Sequence, residues 1–153
     1  MPHEKFDLSE FLPYRLAVLA ERVSRRLSVE YERLHGLSVA EWRIMAHLSR
    51  GDAVSVRDIH LAANLDKPRV SRAVARLVET GFVRKVQGQA DGRLVAISLT
   101  AKGKKAFGEI VPMAQAFEAG LKGAVSPAEL GTFFRVMDRM HAALDADPQT
   151  RAR

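Results

Sequence analysis

Arg69, Arg72 and Arg76 recur at offsets 0, 3 and 7 in the stretch DKPRVSRAVARL, residues 66–77. On a helix this spacing puts three guanidinium groups on one side. Each is planar, permanently charged and carries five donors in a fixed fork, which suits phosphate oxygens or the O6/N7 edge of guanine. Like charges one turn apart cost a helix roughly 0.2–0.5 kcal/mol per pair. Within the helix Arg72 has no acid at ±3 or ±4, and Arg76 has only Glu79. A polyanion outside the helix would offset the repulsion.

Lys67 and Ser71 complete this polar face, while Val70, Ala73, Val74, Leu77 and Val78 fall at 0, 3, 4, 7 and 8 on the opposite one. That division predicts a helix seated on a core by its apolar stripe. The major groove of DNA admits one such helix and presents donors and acceptors to its exposed face. Lys67, Arg69, Ser71, Arg72 and Arg76 are therefore the candidate DNA-binding residues of the segment.

The charge distribution agrees. The chain has 153 residues and a formal net charge of +6, and residues 67–93 alone hold seven basic and two acidic groups. Charge gathered on so short a segment is the footprint of a polyanionic partner. A hydrophobic content of 47% is enough for a real core. The chain lacks cysteine, which excludes disulfides and thiolate metal sites. No apolar run reaches membrane-spanning length. The opening MPHEKFDLSE lacks a basic stretch followed by an apolar one, so no secretory signal is expected and a cytoplasmic location is the plain reading.

The elements that must position the arginines are announced by caps. Ser38 with Glu41, Ser55 with Asp58 and Ser126 with Glu129 each have the spacing of a capping box. They open VAEWRIMAHLSR, VRDIHLAANL and PAELGTFFRVMDRMHAAL. Asn64-Leu65-Asp66 leaves about three residues between two helices, the short connection of a helix-turn-helix, and Asp66 is a natural N-cap with Pro68 in the next turn. Residues 9–34 and 101–121 predict two more long helices, with apolar stripes through Leu12, Leu16, Leu19, Val23, Leu27 and Tyr31 in the first. In the second, Phe107, Ile110, Ala114, Phe117 and Leu121 line one face, and Pro112 is expected to kink it.

Between the helices, FVRKVQ, GQADGR and LVAISL read as strand, loop and strand, a two-stranded wing. Arg93 beside Gly92 would reach from the loop into a minor groove, with Asp91 orienting it. Arg84 and Lys85 on the first strand would meet phosphates or solvent. The fold expected is mostly α with a small antiparallel β-wing. It is a winged helix-turn-helix over residues 38–100 with long helices at 8–34 and 101–145, together one domain over 1–153.

DKPRVSRAVARLVETGFVRK followed by ADGRLVAISLTAKG resembles the recognition helix and D-x-R wing of the MarR family of transcriptional regulators. YRLAVLAERVSRRL and GLSVAEWRIMAHL are similar to that family's first two helices. The resemblance implies a winged-helix homodimer, joined through the first and last two helices, on a pseudo-palindromic operator. It puts Ser71 and Arg72 where the family contacts bases, and Asp91 and Arg93 at its wing tip. The tip GQADGR departs from the D-x-x-D-x-R pattern of many members, since only the second Asp and the Arg are present. The resemblance also implies a repressor answering to a small aromatic or phenolic effector, for which Arg15, Trp42, Arg43 and His47 are the candidate pocket residues.

A dimer follows from the residues as well. Three long amphipathic helices lie outside the helix-turn-helix, and a two-fold mate is the commonest way to bury such faces. No catalytic motif is present, and no two of the five histidines share an i,i+3 or i,i+4 spacing. No enzyme activity, cofactor or metal site is expected. The competing reading is a winged-helix protein-interaction module whose basic face meets an acidic partner.

Overall fold

Apolar residues of the helix at 67–79 and of the helices around it decide the architecture. The computed structural model describes residues 5–86 and 95–150. The elements run α1 (Leu12–His35), α2 (Val39–Leu48), β1 (Val54–Ser55), α3 (Val56–Ala62), α4 (Lys67–Glu79), β2 (Val83–Val86), β3 (Ala96–Leu99), α5 (Ala101–Lys122) and α6 (Pro127–Ala146). The chain packs as two units, Met1–Ala114 and Gln115–Arg153.

In the first unit Val70, Ala73, Val74 and Leu77 of α4 are buried with Ile44, Met45 and Leu48 of α2 and Ile59 of α3. Val78 packs against this core from its edge. The caps form as their spacing predicts at Ser38 and Ser126, where both halves of the box close. At Ser55 the side chain accepts from the Asp58 backbone, and that single bond is the cap.

The sheet corrects the expectation of a two-stranded wing. It has three antiparallel strands in the order β1-β3-β2, with Val54 opposite Ile97 and Val83 opposite Leu99. Two-residue β1 is too short for an alternation to reveal, and it is held because β3 would otherwise present an open edge. Ile97 and Leu99 are buried on the face toward α2, as the two-residue period requires.

Thr100 joins the sheet to α5. Its Oγ1 donates to the Gly81 carbonyl and accepts from the Gly103 backbone at 3.0 Å. Gly103 is buried there, and a Cβ on it would stand 2.0 Å from the Phe82 carbonyl oxygen. α5 then runs unbroken through Pro112. Tyr31, Trp42 and Phe107, from α1, α2 and α5, stack in sequence, with ring centroids 5.3 and 5.1 Å apart and planes within 18° of parallel.

Burial along α1 is graded. Leu12, Leu16 and Leu19 are exposed, Val23 and Leu27 are half-buried, and Tyr31 is 1% exposed. In the second unit Ser126 and Glu129 cap α6, where Phe133, Phe134, Met137 and Leu144 are all exposed.

Two outcomes follow. Gly103→Ala lacks room between α5 and the Phe82 carbonyl, so it should destabilise the first unit by at least the ~1–3 kcal/mol of an overpacked core, read as a lower urea midpoint. Burial pushes the Tyr31 hydroxyl up from 10.0 to about 12. A folded-state value above the unfolded one stabilises fully below pH 10, and the contribution is lost as pH rises toward 12. Melting temperatures should therefore fall less steeply across that window for Tyr31→Phe than for the native chain.

Candidate nucleic-acid interface

Asp66 starts the recognition helix. Its side chain accepts from the Arg69 backbone at 2.8 Å, and Pro68 occupies the first turn, where its missing N–H costs nothing. The turn before it comprises Ala63, Asn64 and Leu65. Asn64 takes φ +50°, a conformation asparagine tolerates, and Leu65 is buried as the turn's apolar anchor. The His60 ring Nδ1–H donates to the Leu65 carbonyl and ties the turn back to α3.

With the apolar stripe of α4 sealed against α2, the other side faces out. Lys67, Arg69, Ser71, Arg72 and Arg76 are all exposed. Among the described residues the side chains of Lys67, Arg69 and Arg72 make no ion pair or hydrogen bond, so two of the three arginines form a bare cationic row. A donor row of this kind can meet phosphate oxygens, and Arg72 and Ser71 have the chemistry to read base edges.

Arg76 departs from the expectation that Glu79 was its only acid. Its Nε lies 3.1 Å from Oε1 of Glu41, a residue of α2 that is 4% exposed. Sequence spacing reveals neighbours on one helix, and this partner is 35 positions away. Glu41 was visible as the N3 residue of a capping box, and its second oxygen does accept from the Ser38 backbone at 3.1 Å. The first oxygen was left for a partner that only tertiary packing supplies.

Arg84 is exposed on β2 and donates from Nε to Ser98 Oγ at 3.1 Å, its cross-strand neighbour on β3. Lys85 is exposed beside it. The wing-tip residues Asp91 and Arg93 lie outside the described residues.

The four candidate effector residues go to different surroundings. Trp42 is packed in the aromatic stack between Tyr31 and Phe107. Arg15 is exposed on α1 with its nearest acid, Glu10, 4.0 Å away. Arg43 is half-buried on α2. His47 lines a cavity of about 270 Å³ with Arg50, Asp52, Val54, Asp58, Ile59 and Ala62, and none of the other three candidates stands in its wall.

Residues 35–94, from the end of α1 past β2, match the family model described as MarR family. The HTH-type transcriptional regulator BilQ from Clostridioides difficile is 22% identical over 101 residues, 66% of this chain and 66% of that relative, so the match spans just under two thirds of BilQ's length. The crystal structure of a MarR/EmrR family transcriptional regulator from Acinetobacter sp. ADP1 is similar with a TM-score of 0.84 and 26% identity, covering 93% of this chain and 100% of that one. A mutant MarR from E. coli complexed with operator DNA shares the fold at a TM-score of 0.79 and 16% identity, over 90% and 99% of the two chains. Over residues 35–94 the chain matches the MarR family of transcriptional regulators, and its mostly helical fold with a small antiparallel sheet is the winged helix of that family's solved structures. Members of this family are regulators rather than enzymes.

Proposed function

We propose that the chain is a sequence-specific, double-stranded-DNA-binding regulator, a repressor that acts as a homodimer on a pseudo-palindromic operator. The observation that carries this reading is the α4 face on which Arg69 and Arg72 stand exposed and unpaired among the described residues while the opposite face is core. In this reading Lys67 and Arg69 hold phosphates, Ser71 and Arg72 meet bases, and Arg84 follows the backbone from the wing. Arg93 would make the minor-groove contact, with Asp91 orienting it. The operator seen with E. coli MarR is consistent with the same use of the fold here.

The exposed apolar side chains support the homodimer. Leu12, Leu16 and Leu19 of α1, and separately Phe133, Phe134 and Leu144 of α6, are large apolar side chains left exposed along amphipathic helices, faces that a partner would cover. A two-fold mate buries them and sets two recognition helices about 34–36 Å apart, one turn of duplex. In this assembly residues 1–153 act as one functional domain. Among the described residues no helix is long and apolar enough to cross a membrane, and a cytoplasmic regulator fits that.

Ligand response is the remaining part of the proposal. The resemblance favours an aromatic or phenolic effector, and the cavity at His47 offers apolar wall from Val54, Ile59 and Ala62 beside the charged Arg50, Asp52 and Asp58. Such a ligand acts only if it binds the two spacings of the recognition helices unequally.

Gel shifts on sequences selected from random duplexes test the DNA reading. Arg72→Ala should lose about 1–3 kcal/mol of operator binding and relax the preference at one base position. Arg93→Ala should weaken all sequences alike. Retention of both mutants at wild-type affinity near 150 mM salt, about the physiological ionic strength, would show that the duplex is not held by this face; capture of an acidic protein instead would favour the interaction module. Sedimentation tests the assembly. The native chain should run as a dimer, and Phe134→Glu should shift it toward monomer and lose operator binding with it.

A further inference from the structure

Glu41 is the charged residue that the core contains among the described residues. A carboxylate taken out of water is costly unless its oxygens are answered, and here one is hydrogen-bonded and the other ion-paired. Oε2 accepts from the Ser38 backbone at 3.1 Å, closing the α2 cap, and Oε1 faces Arg76 Nε at 3.1 Å. The cap needs no negative charge, because glutamine serves equally at that position of a capping box. The charge is therefore unexplained by α2 alone. What it meets is the third cation of the recognition face.

Arg76 is not hidden by this pair. Its side chain is 60% exposed, and among the described residues its two terminal nitrogens have no partner. It is a guanidinium held by one edge, with its charge answered from below. Arg69 and Arg72, on the same face, are not answered. A free cation at a phosphate releases counterions and steepens the salt dependence of binding to any sequence, by about 0.9 in the log–log slope. A cation already paired with a buried carboxylate contributes less of that pull, and drawing it away would strand the carboxylate in the core.

We propose that Glu41 is a specificity-determining positioning residue of the DNA interface: it fixes Arg76 by Nε and cancels its charge, so that Arg76 is withheld from sequence-independent attraction to phosphates. The inference rests on the DNA-binding reading of α4. It adds that the face is tuned for contrast between operator and random duplex rather than for total charge.

The experiment compares salt titrations of binding to operator and to random duplex. Glu41→Gln keeps the cap and frees the guanidinium. Its slope on random duplex should steepen by about 0.9, its affinity for random duplex should rise several-fold, and the operator-to-random ratio should fall. Placed on an Arg76→Met background, the same substitution should move neither quantity. Ser38→Ala, which removes the cap alone, should lower the melting temperature without steepening the slope. Glu41→Asp keeps the charge but withdraws it by one methylene, so it should steepen the slope by a smaller amount; it gives the answer if the glutamine variant melts below the assay temperature.

An unchanged slope and ratio for both Glu41 variants would overturn the inference. So would the same steepening on the Arg76→Met background, or from Ser38→Ala, since Glu41 would then not act through Arg76. A native chain with no salt-dependent binding to any duplex would overturn the DNA reading and this inference together. Binding by the native chain with silent Glu41 variants overturns the inference alone.

Discussion

The seating of α4 on α2 is the constraint from which the site follows. Leu77 and Val70 are almost wholly buried, and Ala73 and Val74 fill the stripe between them. Burying one leucine or valine side chain contributes about 1.5–3 kcal/mol relative to leaving it in water. An exposed ion pair is worth about 0–1 kcal/mol. Apolar burial therefore fixes which way the helix faces, and the arginines go outward because the stripe goes inward. Their mutual repulsion, a few tenths of a kcal/mol per pair, is small against that burial. The helix can carry a face that is poor for its own stability because the other face decides the fold.

The first turn of α2 is where this seat meets the rest of the first unit. Ser38 and Glu41 close the cap, Glu41 reaches α4 through Arg76, and Trp42, the next residue, stacks on Tyr31 of α1 and Phe107 of α5. Flat stacking over two large rings spreads contact over a wide area and resists tilting. The ion pair adds direction rather than much stability, since desolvation of the carboxylate offsets most of the attraction. Gly103 plays the matching part at α5, where the backbone approaches Phe82 more closely than any side chain allows. The recognition helix is thus held in orientation as well as in depth.

Much of this was legible in the sequence where the cause is local. The apolar period of α4, the Asp66 cap with Pro68 behind it, and the boxes at Ser38 and Ser126 depend on residues within one or two turns, and the structure has each. The third strand was not legible, because Val54 and Ser55 are a strand only by pairing with Ile97 and Ala96 of β3. The Glu41–Arg76 pair was not legible either, because a capping role already accounted for Glu41. Trp42, expected as a pocket residue, also stacks on Tyr31 and Phe107, a tertiary contact that its place beside an arginine on a capping turn did not reveal.

The graded burial of α1 connects the site to the proposed assembly. Tyr31, at the end that joins the core, is sealed, whereas Leu19, three turns earlier, is 49% exposed on the same stripe. A stripe that continues past its own core needs another surface, and on the proposed dimer that surface is the mate. The two recognition helices are then spaced by the same α1 helices whose far ends hold the Tyr31–Trp42–Phe107 stack. Any shift in the dimer helices would be transmitted through stacked rings and the capped turn of α2 to α4, elements too closely packed to absorb it by sliding. On the proposed reading, the spacing of the two arginine rows is set by this chain of packed contacts rather than by α4 itself.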